Sequence, residues 1–72
     1  MMYALYKNEF EYGELMDVTM IACADSLEKL ADYYEQLEGE RAELIFEEAD
    51  YGYAAQWIVK DSYYRIQELK AL

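Results

Sequence analysis

The stretch DSLEKLADYYEQLEG, from Asp25 to Gly39, predicts an amphipathic helix against which the remaining segments have to pack. Asp25 is suited to cap the first turn, and Glu28 three positions later completes a capping-box pattern. Gly39 is suited to end the helix, so we expect helical residues from Ser26 to Glu38. Apolar residues three and four positions apart form one stripe on such a helix. The stripe consists of Leu27, Leu30, Ala31, Tyr34 and Leu37.

Two β-prone segments precede this helix. Met2–Lys7 is rich in aromatic and aliphatic residues, and Asp17–Ala24 alternates along its length. Gly13 lies among acidic residues between them, so we expect a β-hairpin with its tip near Tyr12-Gly13-Glu14. Strict alternation in the second strand predicts one shared face for Val18, Met20, Ala22 and Ala24.

The segment after the helix has two interpretations. Helical spacing of its apolar residues favours a second helix over residues 40–60, although Gly52 weakens one by about 1 kcal/mol. The alternative is a hairpin, with strands at Glu43–Glu48 and Ala54–Val59 and a turn at Asp50-Tyr51-Gly52. The helical interpretation uses Ala42, Ile45, Ala49, Tyr53 and Trp57.

The end of the chain completes the predicted fold. Tyr64 and Ile66 alternate with polar residues, which predicts a strand over Ser62–Leu69 after a turn at Lys60-Asp61-Ser62. We therefore expect one small α+β domain over residues 1–72. It consists of an N-terminal β-hairpin, an amphipathic helix, a second helix or hairpin, and a C-terminal strand that completes an antiparallel sheet.

The charge of the chain is strongly negative. Sixteen acidic residues oppose six basic ones, giving a net charge of −10. The acidity is concentrated in residues 25–50, where ten carboxylates face only Lys29 and Arg41. Binding to phosphates requires clustered Lys and Arg, so direct nucleic-acid binding is disfavoured. A basic protein surface is the favoured partner, since such a field speeds the encounter of opposite charges.

The residue types present exclude most catalytic chemistry. The chain has no histidine and one cysteine, Cys23, so it offers no zinc site and no neighbouring base to activate the thiol. Glu47, Glu48 and Asp50 lack calcium-loop spacing, and a chain this short has little room for a sugar-binding cleft. We expect no enzymatic activity, no cofactor and no metal. The absence of a signal-like or membrane-length apolar segment predicts a cytoplasmic protein.

The candidate binding residues are carboxylates and tyrosines. Glu28, Asp32 and Glu35 fall on the outer side of the predicted helix, where ordinary solvated faces usually mix charges of both signs. Tyrosines are frequent at interface hot spots because they combine contact area with a hydrogen bond. Tyr34 and Tyr64 lie on apolar stripes and are expected in the core. The remaining candidates for partner binding are Glu38, Glu43, Glu47, Asp50, Tyr33 and Tyr51.

The order of these segments resembles a known group of proteins. Met2-Tyr3-Ala4-Leu5-Tyr6-Lys7, followed by a second strand and Asp25-Ser26-Leu27-Glu28-Lys29-Leu30-Ala31, is similar to short reading frames of bacteriophages and prophages. The resemblance implies a small acidic protein that binds and disables a host enzyme. Such targets include restriction systems, CRISPR effectors (as for anti-CRISPR proteins), DNA glycosylases and RNA polymerase, and some members of this group imitate DNA.

Two hypotheses for function follow. In the first, the chain is an inhibitor that presents its acidic, tyrosine-dotted surface to the basic nucleic-acid-binding site of a host protein. In the second, it is a non-catalytic structural or interaction module whose acidity maintains solubility. Exposed strand edges such as Met2–Lys7 would then pair between copies to form a homodimer.

Overall fold

The described part of the chain forms one five-stranded antiparallel sheet and one helix. The structure is a computed structural model that describes residues 2–47, 56–59 and 63–69. This arrangement is consistent with the α+β class predicted from the sequence. The elements in chain order are β1 (Met2–Glu11), β2 (Glu14–Ala24), α1 (Leu27–Glu38), β3 (Leu44–Glu47), β4 (Gln56–Val59) and β5 (Tyr64–Leu69).

The predicted N-terminal hairpin is confirmed, with longer strands than the sequence indicated. β1 and β2 are joined by the two-residue loop Tyr12-Gly13, and Glu11 pairs with Glu14 across it. Both loop residues have positive φ, 52° for Tyr12 and 80° for Gly13. This combination defines the turn type whose twist matches that of the flanking strands. A glycine at the second position adopts it without the steric cost that a side chain brings.

The predicted helix is also confirmed, but its first turn is capped by a different residue. The Ser26 hydroxyl, and not the Asp25 carboxylate, accepts a hydrogen bond from the Lys29 backbone N–H, at 3.2 Å. Asp25 lies one position too early for this bond, because the extended N-cap conformation is adopted by Ser26. Gly39 ends the helix as predicted, with φ of 72° and its N–H donating to the Glu35 carbonyl oxygen.

The segment after α1 is a hairpin, so the favoured prediction of a second helix is wrong. β3 and β4 pair antiparallel, with Phe46 opposite Trp57. The extended form allows Trp57 to pair with Ile66 of β5 as well, which a helix would not permit. Cross-strand pairing thus outweighed the helical spacing of the apolar residues. The turns predicted at residues 50–52 and 60–62 lie outside the described residues.

The C-terminal strand is confirmed, and its position changes the expected sheet edges. The strand order is β2-β1-β5-β4-β3, so β5 pairs with β1 on one side and β4 on the other. β1 is therefore an inner strand. The expectation that Met2–Lys7 offers a free edge is wrong, because both sides of β1 are already hydrogen-bonded. The edges of the sheet are β2 and β3.

The core lies between α1 and one face of the sheet. Leu30 and Tyr34 are the buried residues of the helix. The Tyr34 and Tyr64 rings meet edge to face, with centroids 5.0 Å apart, as expected for two core tyrosines. Burial on this face accounts for the alternation seen in β5. The buried cluster consists of Leu5, Leu30, Tyr34, Val59, Tyr64 and Ile66.

The opposite side of the sheet, which we call the helix-free face, has no helix on it among the described residues. The residues of β2 that lie on this face are not those that strict alternation predicts. Leu5 pairs with Ala22, but Tyr6 pairs with Met20, so Ile21 forms a bulge. The bulge leaves Ala22 on the side of α1 and moves Val18 and Met20 to the helix-free face.

Alanine substitutions test whether Ser26 or Asp25 caps the first turn of α1. We expect Ser26→Ala to lower the free energy of unfolding by about 1 kcal/mol, because it removes the acceptor for a backbone N–H of the first turn. Asp25→Ala removes only an exposed ion pair and should cost clearly less than Ser26→Ala. Urea denaturation followed by tryptophan fluorescence measures both. An equal or larger loss for Asp25→Ala would contradict the assignment of the cap.

The position of the core is tested by two identical substitutions on one helix. Leu30 is 1% exposed and Leu37 is 49% exposed. We expect Leu30→Ala to cost about 2–5 kcal/mol, since it leaves a cavity between α1 and the sheet. Leu37→Ala should cost less than about 1 kcal/mol. Similar losses for both variants in urea denaturation would show that α1 packs through another face.

Candidate functional site: an acidic row beside a groove

Three carboxylates form a row along the exposed side of α1. With 3.6 residues per turn and a rise of about 1.5 Å, Asp32 lies about 6 Å and Glu35 about 10 Å beyond Glu28 along the helix axis. All three side chains are exposed, because Leu30 and Tyr34 turn the opposite side of the helix to the sheet. We call Glu28, Asp32 and Glu35 the acidic row. The structure therefore brings these three predicted binding residues together.

The acidic row forms one wall of a groove. The chain reverses at Gly39, so the residues that follow run back beside α1 before entering β3. Two small side chains, Ala31 and Ala42, line the space between these segments and leave it open. The groove has a volume of about 290 Å³. Its lining residues are Glu28, Ala31, Asp32, Glu35, Arg41, Ala42 and Leu44.

The only cation on the helix is directed away from the acidic row. Lys29 Nζ lies 2.7 Å from Asp25 Oδ1, and this is the only salt bridge between described residues. Both side chains are exposed, so the pair adds little stability. Its consequence is electrostatic, because Asp25 engages the lysine that could otherwise neutralise Glu28 or Asp32. The row thus presents its negative charge to solvent.

Arg41 is the residue of the groove that sequence reasoning did not identify as part of a site. In the sequence it contributes only to the net charge, whereas in the structure it lines the groove together with the three carboxylates. Its position depends on the reversal of the chain after Gly39, whose left-handed conformation turns the following residues back. A glycine cap followed two positions later by an arginine was the available signal. The groove therefore has a negative wall and one positive residue.

The other predicted carboxylates do not extend the row continuously. Glu38 accepts a hydrogen bond from the Tyr64 hydroxyl, which ties the end of α1 to β5. Glu47 lies on the helix-free face and accepts one from the Gln56 side-chain amide. Glu43 is exposed, close in sequence to Arg41. Asp50 and Tyr51 lie outside the described residues.

Tyr33 lies on a different flank of α1 from the acidic row. At about 100° per residue it is rotated by roughly 140° from Glu28. It is exposed, and it is absent from the lining of the groove. Its use as a partner-binding residue stays a prediction, and contact with it would require a partner that wraps around the helix.

Comparisons of the chain with protein-family models, curated proteins and solved structures found no match. Within residues 2–47, 56–59 and 63–69, no helix combines the length and apolarity needed to cross a membrane. In the same ranges, no group of three or more His, Cys, Asp or Glu side chains is arranged to hold a metal ion.

The titration of Asp25 tests the arrangement of the charges. The hydrogen bond and charge of Lys29 hold the pKa of the Asp25 carboxyl below its ordinary value of 3.8. The pair therefore favours the folded state above that value, and its contribution is lost as the pH falls through the lower folded-state pKa. We expect Lys29→Gln to raise the Asp25 pKa towards 3.8 in an NMR titration of the carboxyl group. An unchanged midpoint would show that Lys29 is not held there.

Proposed function

We propose that this chain is a non-catalytic binding protein whose acidic row engages the basic, nucleic-acid-binding surface of another protein. The observation that carries the proposal is the row itself, three exposed carboxylates on one wall of a groove whose nearest helix cation is paired elsewhere. Three carboxylates against the single cation Arg41 leave the groove net negative, and such a row attracts a cationic surface over a distance of several ångströms. It also fixes the orientation of docking more than it adds affinity.

The spacing of the row supports a protein partner with several cationic side chains. Surfaces that bind nucleic acid carry multiple Lys and Arg residues directed at successive phosphates. A strip of such residues can meet Glu28, Asp32 and Glu35 one after another along about 10 Å of helix. Guanidinium groups are the better match, because they form two parallel hydrogen bonds with one carboxylate.

Arg41 gives the groove a direction. It lines the same groove as the carboxylates, so a partner cation is accepted along the helix and repelled near Arg41. An acidic or carbonyl group of the partner can occupy that position. The mixed lining therefore selects one alignment of the partner, which a uniformly acidic surface would not do.

Binding of this kind leads to inhibition. A protein that occupies the basic surface excludes the nucleic acid that would otherwise bind there. This is the role implied by the resemblance to small acidic phage proteins, and it requires no chemistry by the chain itself. In this proposal the partner is a host protein that acts on nucleic acid, and a CRISPR effector is one member of that class.

Two variants of equal charge test the proposal. The first is the triple substitution Glu28→Gln, Asp32→Asn, Glu35→Gln. The control is Glu9→Gln, Glu11→Gln, Glu14→Gln, which removes the same charge from exposed residues of the hairpin. The immobilised wild-type chain should capture a nucleic-acid-binding protein from a nuclease-treated bacterial lysate. We expect the row variant to lose that capture and the hairpin variant to keep it.

Two further measurements accompany the capture. Binding should weaken strongly between about 0.1 M and about 1 M salt, where the screening length falls from about 10 Å to about 3 Å. Duplex DNA added in excess should displace the captured protein. Equal capture by both variants would show that only net charge matters, and undiminished capture by the row variant would exclude this surface.

A further inference from the structure

We propose that the helix-free face binds a second copy of this chain, with the two sheets packed face to face about a twofold axis. The face carries large apolar side chains that a single copy leaves exposed, with Met20 at 51% and Ile45 at 58%. Exposed apolar side chains gathered on one face mark interaction sites on soluble proteins. The exposed members are Met2, Phe10, Leu15, Val18, Met20, Ile45 and Tyr63.

The charge on this face is what a self-pairing surface requires. Among the described strand residues, the register places only Arg65 and Glu47 on it as charged groups, one of each sign. In the hairpin of β1 and β2, the acidic pairs Glu9–Asp17 and Glu11–Glu14 lie on the opposite side of the sheet, which is the side of α1. A twofold interface brings the same patch together from both copies, so it must be self-complementary. The other polar strand residues on this face, Asn8, Gln56 and Gln67, are uncharged, so the face is near neutral and meets this condition in a chain with a net charge of −10.

The face is large enough for a stable dimer. The five strands contain 10, 11, 4, 4 and 6 residues. At about 3.4 Å per residue and about 4.8 Å between strands, the sheet covers roughly 570 Å² in plan. Side-chain relief makes the accessible area larger than the plan area. Stable interfaces take roughly 600–1,000 Å² from each partner, so a second copy would cover nearly the whole face.

Pairing through the sheet edges, the alternative route to a dimer, is opposed by both edge strands. β2 is interrupted by bulges at Met16 and Ile21, which disturb the row of free backbone groups. The Val18 backbone N–H is already bonded to the Asp17 carboxylate, at 2.9 Å. β3, the other edge, spans four residues within the described part of the chain. Short and bulged edges are the features by which proteins prevent strand addition.

Face-to-face packing also separates the negative charges. One copy measures 19 Å across its thinnest direction, with α1 on the side away from the proposed interface. The two acidic rows then lie on opposite outer surfaces, much farther apart than the screening length of about 8 Å at physiological salt. Packing also adds buried apolar surface to a domain whose own core is small. The dimer is independent of the partner proposed above.

Two glutamate substitutions on neighbouring residues of β2 test the dimer. Met20→Glu places a carboxylate on the helix-free face, and Thr19→Glu places one on the opposite side, across from Lys7. Sedimentation equilibrium should give twice the 8.6 kDa monomer mass for the wild type and for Thr19→Glu. Met20→Glu should raise the dissociation constant by more than about 100-fold, because the interface then buries two unpaired charges.

A second variant and a salt series complete the experiment. Ile45→Glu adds the same charge to the same face from β3, and it should also give monomers. It replaces Met20→Glu in the test if that variant does not fold. Circular dichroism establishes that each variant is folded. A wild-type mass of 8.6 kDa at concentrations up to about 1 mM would overturn the proposal. Equal dissociation by Thr19→Glu, or loss of the wild-type dimer at high salt, would overturn it as well.

Discussion

The twelve-residue helix α1 is too small to cover the five-stranded sheet on which it packs, and the exposed surfaces of the structure follow from this mismatch in area. A helix of that length extends about 18 Å and is about 10 Å wide, so it covers only part of one face. Leu30 and Tyr34 bury the centre of that face against Leu5, Tyr64 and Ile66. The outer part of the hairpin and the whole opposite face remain without a covering layer among the described residues. The surfaces available for binding are therefore those that the helix cannot reach, together with the side of the helix itself.

The outer side of α1 and the helix-free face differ in the interaction that would drive binding to each. The outer side of α1 carries Glu28, Asp32 and Glu35, and the salt bridge from Lys29 to Asp25 leaves the three without a cation from their own helix. The helix-free face is apolar, and its two charged strand residues have opposite signs. Association through the first surface depends on Coulomb attraction and is screened by salt. Association through the second depends on removing apolar area from water, which salt does not weaken. The two surfaces can therefore be distinguished by ionic strength alone.

The parts of this fold that could be predicted are those with local signals. The helix follows from its apolar stripe and Gly39, and the first hairpin follows from Gly13 between two β-prone segments. The hairpin of β3 and β4 was missed because its apolar residues also fit helical spacing, whereas the pairing of Trp57 with Ile66 is a contact between separate segments. The candidate site divides in the same way. The spacing of the acidic row follows from helix geometry, but the position of Arg41 depends on how the chain reverses after α1.

The bulge at Ile21 determines which side of the sheet the residues of β2 face in the hairpin of β1 and β2. If β2 instead paired in strict alternation from Ala22, Val18 and Met20 would exchange sides with Asp17 and Thr19, and the apolar and acidic surfaces of this hairpin would be inverted. Side chains along β2 can therefore be replaced one at a time with local effect, whereas straightening the bulge at constant length would turn the residues from Asp17 to Met20 to the other side of the sheet. Loss of the bulge preserves the two surfaces only when one residue of β2 is lost with it, because Met20 then stays opposite Tyr6, so we expect related chains to change both together.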